Sequence, residues 1–159
     1  SKRLNNREGI FMNEQLNQNW PEFIKHLFNE KVPFLKWMEI KVTHIREGYA
    51  QLEMTVDSKH GNTSNILHGG ITATLMDTVI GASLRTLKYK MVTLELTTLY
   101  HKPVTLPNKL TATGEFVTGG KTILHGKAEL KDQNGQLVAS AKAIYYITGD
   151  DDGVYPINS

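Results

Sequence analysis

The run from Gly69 to Leu87, GGITATLMDTVIGASLRTL, carries no charge except Asp77 until Arg85. Wound as an α-helix, it spreads Ile71, Leu75, Met76, Val79, Ile80, Leu84 and Leu87 around most of its circumference. A helix apolar on nearly every side cannot face water, so the rest of the chain must enclose it. The flanking sequence supplies the wrapping. YAQLEMTV (49–56) alternates, with Ala50, Leu52, Met54 and Val56 on one face and Tyr49, Gln51, Glu53 and Thr55 on the other. EIKVTHI (39–45) precedes it as a first strand. Four more strand-like runs follow the helix, at 91–100, 109–116, 122–130 and 136–147, separated by KPVTLPN, TGGK and KDQNG. The short links among the last three predict an antiparallel meander.

Upstream, NEQLNQNWPEFIKHLFNE (13–30) repeats Leu16, Trp20, Phe23, Leu27 and Phe28 at helical spacing, with Pro21 near the start. VPFLKWM (32–38) reads as an apolar connector or single turn. The expected architecture is therefore α+β. A curled antiparallel sheet of five to six strands surrounds one hydrophobic helix, with an N-terminal helix added. With 159 residues, one domain over 13–148 suffices. Residues 1–12 read as an extension, since the chain opens without Met and Met12 follows. Residues 149–159 read as a loose acidic tail.

Composition closes several routes. No cysteine means no disulfide and no thiolate metal site, which is compatible with a reducing cytoplasm. The formal charge of +2 is too small to argue for nucleic acid. No uncharged stretch is long enough to span a membrane, and no signal-peptide layout opens the chain.

The chemistry concentrates in NTSNILHGGITATLMD (62–77). Gly69 and Gly70 open the helix, where N–H groups lack partners and the dipole is positive. They suit an oxygen that gains negative charge, or they simply serve a tight loop-to-helix transition. Asp77 sits inside the helix, where a carboxylate is costly unless it is paired or working. Its helical neighbours Ala73, Thr74 and Gly81 are small and leave a groove for a ligand; Thr74 or Thr78 could instead satisfy it structurally. Eight residues separate Gly69 from Asp77, roughly 12 Å along the axis. One carbonyl carbon cannot contact both, so joint action on one bond requires two antiparallel helices from two chains. Asn62 and His68 flank the glycines, either orienting a substrate or water, or bracing the loop. Asn65 suits a left-handed backbone. The remaining histidines lack metal-ligand spacing, and Ser83 lacks a His/acid partner.

These residues resemble the signature of the hotdog-fold acyl-CoA thioesterases, in the PaaI-type branch: Asn62, then His68-Gly69-Gly70, then Asp77 on the following helix. VTLELTTLYHKPV and GGKTILHGKAEL are also similar to the later strands of that family, and the likeness covers roughly residues 33–147. The resemblance implies a homodimer, often paired into a homotetramer, that hydrolyses an acyl-CoA to a free acid and CoA without metal or cofactor. It implies an oxyanion N–H from Gly69, with Gly70 beside it, and Asp77 of the other subunit as base or nucleophile. Asn62 and His68 would orient the thioester or water, and Thr93 would stand near the water. Lys121, in the turn with Gly120, would meet the CoA phosphates. An apolar channel between subunits would hold the acyl chain, its length set by residues such as Met76, Ile80 and Leu84. A hotdog hydroxyacyl dehydratase and a non-catalytic acyl-CoA-binding module are the competing expectations.

Overall fold

The computed structural model describes residues 19–156. Residues 1–12, Leu16 and the rest of the expected helix before Asn19 lie outside them. The first helix, α1, runs Trp20–Lys31, with the Asn19 side chain accepting from the Glu22 N–H and Pro21 in the first turn. It buries Trp20, Ile24 and Leu27. A five-residue helix, α2 (Pro33–Trp37), follows, and Glu39 turns the chain with a left-handed φ of 56°. Strands β1 (Lys41–Arg46) and β2 (Tyr49–Val56) come next. A single tight turn at Ser58–His60 then leads to α3 (Gly69–Arg85). Four strands complete the chain: β3 (Tyr89–Tyr100), β4 (Asn108–Gly119), β5 (Ile123–Lys131) and β6 (Leu137–Asp150).

The six strands form one sheet, ordered β1-β2-β4-β5-β6-β3, with every pairing antiparallel. The meander β4-β5-β6 lies in its middle, and β3 crosses to the far edge. The sheet curls around α3, whose Leu75, Met76, Val79, Ile80 and Leu84 are fully buried against Leu52, Met54, Leu110 and Leu130. At Gly114 the helix backbone itself comes close, and an added Cβ would stand 2.5 Å from the Val79 carbonyl oxygen. Glycine is required there because the helix backbone occupies the side chain's place.

Two segments depart from the sequence expectation. Helix α3 stops at Arg85, and Lys88 takes a left-handed φ of 68° to start β3 earlier. The chain after Ile147, expected to be loose from residue 149, continues β6 to Asp150. The Asp151 N–H then donates to the Lys88 carbonyl, and its buried carboxylate faces Arg85 at 3.8 Å and accepts from the Tyr155 hydroxyl. Polar partners supplied by the α3–β3 corner hold this acidic segment, which hydropathy cannot foresee.

The sheet's free edge has an uncommon character. Strand β3 is 12 residues long and exposes Val92, Leu94, Leu99 and Tyr100, each more than half accessible. Among the described residues, no helix is long and apolar enough to cross a membrane.

Candidate active site

The acid in α3 is half-buried rather than sealed in the core. The side chains that satisfy it come from the sheet, and neither Thr74 nor Thr78 bonds to it among the described residues. Thr93 on β3 donates its hydroxyl to Asp77 Oδ1 at 2.8 Å. Tyr145 on β6 donates to the same Oδ1 at 2.6 Å and lies 2.8 Å from the Asp77 backbone carbonyl. Oδ2 has no hydrogen-bond partner among the described residues. The carboxylate is thus gripped through one oxygen and presents the other. Gly81, one turn on, gives Tyr145 its approach: an added Cβ there would stand 3.4 Å from the phenol oxygen. Burial pushes the Tyr145 phenol well above the usual tyrosine range, and the charge and hydrogen bond of Asp77 push it further. The hydroxyl therefore remains a donor at any physiological pH.

Sequence reasoning passed over Tyr145. The signal was present in QLVASAKAIYYI, where alternation turns Ala139, Ala141, Ala143 and Tyr145 inward together. A buried tyrosine hydroxyl needs a partner, and Asp77 is the acid on the facing helix.

The start of α3 is built differently. His68 caps the helix, its Nδ1 accepting the Gly70 N–H at 2.9 Å. The Tyr100 hydroxyl donates to the Gly69 carbonyl at 2.7 Å. The peptide joining the two glycines is therefore held at both ends. The Gly70 N–H, expected beside Gly69 as an oxyanion donor, is spent on His68. The Gly69 N–H has no acceptor among the described residues. Asn62 braces the loop, its Oδ1 taking the N–H groups of Ser64 at 2.9 Å and Ile66 at 3.3 Å. Its side-chain amide nitrogen has no partner among the described residues. Asn65 adopts φ 55°, the left-handed backbone its type suggested.

Within one chain these residues do not converge. Asp77 and Thr93 line a cavity of about 420 Å³ walled by α1 and α2. Asn62 and Gly69 line another of about 350 Å³ beneath Tyr100 and His101. His68 and Gly70 face a third of about 340 Å³ near Trp37 and Lys59. Gly120 borders a fourth of about 410 Å³ beside Trp20 and Lys88. Its N–H closes the β4–β5 hairpin on the Ile123 carbonyl at 3.0 Å. Lys121 is exposed at the hairpin tip and lines none of the four. Met76, Ile80 and Leu84, expected to set a channel length, are fully buried and also line none of them. They point into the sheet's curl, and the space beside Asp77 is shaped instead by Thr78, Gly81 and Arg85 of α3 with side chains from α1, α2 and the sheet.

The chain is similar to known proteins in sequence and in fold. Residues 64–139 match the family model described as the Thioesterase superfamily. Acyl-coenzyme A thioesterase 13 of Mus musculus is 29% identical over 132 residues, covering 80% of this chain and 93% of the mouse protein. The solved PaaI protein from the E. coli phenylacetic acid degradation operon superimposes with a TM-score of 0.79. That match has 24% identity and covers 82% of this chain and 95% of that one. A Streptococcus mutans protein solved bound to acetyl CoA gives a TM-score of 0.69 at 26% identity, covering 71% and 91%.

Proposed function

We propose that this chain, a thioester hydrolase with the hotdog fold, cleaves acyl-CoA to a free acid and CoA. One observation carries the assignment of the reacting group: both hydroxyls near Asp77 land on Oδ1, Oδ2 accepts from no described residue, and Asp77 lines a cavity. A carboxylate oriented by two donors, with one oxygen unoccupied, is built to take a proton from water. The acetyl-CoA bound to the S. mutans relative and the activity of the mouse relative support the substrate class.

The step is written as general-base hydrolysis. Asp77 Oδ2 accepts a proton as the water oxygen bonds to the thioester carbonyl carbon. The carbonyl oxygen, gaining negative charge, is received by the Gly69 N–H at the positive end of α3. The C–S bond then breaks, and the CoA sulfur leaves with the proton returned from Asp77. Thr93 and Tyr145 keep the carboxylate in place throughout. Asn62 directs its free amide toward the thioester or the water, and His68 fixes the glycine peptide. Lys121 and Gly120 serve the CoA phosphates.

Gly69 and Asp77 lie roughly 12 Å apart along one helix, so each site takes its Gly69 from a second copy. The apolar free edge of β3 supports a homodimer built by edge pairing, and two dimers pair further into a homotetramer. Asp77→Asn tests the assignment by thiol release from acyl-CoA. It is expected to lose roughly a hundredfold or more in kcat with the fold retained. Near wild-type turnover in that variant would overturn the reading, as would enoyl-CoA hydration without thioester cleavage, or tight acyl-CoA binding without turnover.

A further inference from the structure

The cavity at Asp77 is walled by a part of the chain that the catalytic signature does not include. Leu27 and Phe28 of α1, Val32 between the helices, and Phe34 of α2 form one side, with Met91 and Val92 of β3 opposite. Its floor is the stripe Asp77, Thr78, Gly81 and Arg85 on α3. These positions span about two turns of helix, roughly 12 Å along its axis from Asp77 to Arg85. The far end is charged. Arg85 Nη1 lies 3.8 Å from the buried Asp151 carboxylate, its guanidinium stands 5.4 Å from the Tyr155 ring centre, and Tyr155 lines the same cavity.

We infer that this cavity is the acyl-binding site and that it selects a straight, apolar acyl chain of medium length, with α1 and α2 as the specificity-determining wall. The inference rests on the proposed thioesterase role of Asp77. A carbonyl placed at Asp77 Oδ2 sends its chain along the α3 stripe, between aliphatic and aromatic side chains. An extended chain of roughly eight to ten carbons fills the distance to Arg85. A longer chain would have to press its methylenes against the Arg85–Asp151 pair, desolvating charges without replacing their partners. A short acyl group leaves the α1–α2 wall unused. The volume of about 420 Å³ is of the size ordinary for a small-ligand site. The open flank runs along Val92, on the edge where the second copy is proposed, so dimerisation would finish the enclosure.

The test is a straight-chain acyl-CoA series from butanoyl to hexadecanoyl, with thiol release followed for the full chain and three variants. Val32 sits in extended backbone at the α1–α2 junction, where a larger side chain is conformationally allowed, so Val32→Trp narrows the cavity. Phe34→Ala widens it at an exposed position that contributes little to folding. The wild-type optimum is expected at medium length. Val32→Trp should lower the ratio of decanoyl to butanoyl kcat/KM by roughly tenfold or more, and Phe34→Ala should flatten the preference. If Val32→Trp fails to melt cooperatively, Phe34→Ala alone decides. A wild-type preference for hexadecanoyl-CoA, or an unchanged length profile in the folded variants, would overturn the inference. The Asp77→Asn arm separates the two claims. Loss of turnover at every length with unchanged profiles in the wall variants removes only the acyl-site inference. Retained turnover in Asp77→Asn removes the catalytic reading itself.

Discussion

Tyr145→Phe is the most informative single change at the acid. Phenylalanine keeps the buried ring and removes only the hydroxyl, whose 2.6 Å bond to Asp77 Oδ1 is the shorter of the two holding that oxygen. A hydrogen bond to a charged group contributes about 1.5–3 kcal/mol. At 1.36 kcal/mol per tenfold, full expression of that loss in the transition state lowers kcat by roughly ten- to a hundredfold. KM should move little, because the hydroxyl touches the acid and not the substrate. Tyr145 stays protonated across the assay range, because burial and Asp77 hold its phenol above the usual tyrosine range. Initial rates of thiol release against substrate concentration at neutral pH measure kcat and KM together. A folded Tyr145→Phe protein with wild-type kcat would refute the positioning argument.

Other outcomes follow from the same coordinates. Gly69→Pro deletes the open N–H at the first helical position, where proline is tolerated and His68 is already extended; kcat should fall roughly a hundredfold with the melting temperature nearly unchanged. Mixing equal amounts of Gly69→Pro and Asp77→Asn subunits after reversible dissociation should restore roughly a quarter of wild-type activity, since half the dimers would carry one intact composite site; no recovery would argue against sites shared between chains. Leu94→Lys places a charge on the apolar β3 edge and should give a monomer by analytical ultracentrifugation, with activity lost in parallel. Gly114→Ala forces a methyl against the Val79 carbonyl and should cost about 1–3 kcal/mol or more in urea unfolding. A single turnover of the wild type in heavy-oxygen water should leave Asp77 unlabelled if the acid acts as a base; label in its carboxylate would identify it as the nucleophile.

Much of the architecture was legible in local pattern. An all-round apolar helix had to be enclosed, and strict alternation at 49–56 supplied an inward face of Ala50, Leu52, Met54 and Val56, all of which are buried. The one acid inside that helix stood out for the same reason, since a carboxylate there is costly unless it is used. Period and burial cost are local quantities, and a sequence displays them directly. What pairs with what across the fold is not local. Thr93 and Tyr145 lie 16 and 68 residues from Asp77, and only the antiparallel pairing of β3 with β6 lays both hydroxyls on one carboxylate oxygen. The competition for the Gly70 N–H was likewise decided by His68 folding back over the first helical turn. Hydrophobicity alone cannot tell Met76, Ile80 and Leu84, turned into the curl of the sheet, from Leu27, Phe28 and Phe34, which line the cavity with Asp77. The chain's own residue order thus dictated the elements, the buried helix and its acid. The direction each face of that helix looks, and therefore which side chains share a cavity with Asp77, was settled by long-range strand pairing and the packing of α1 and α2.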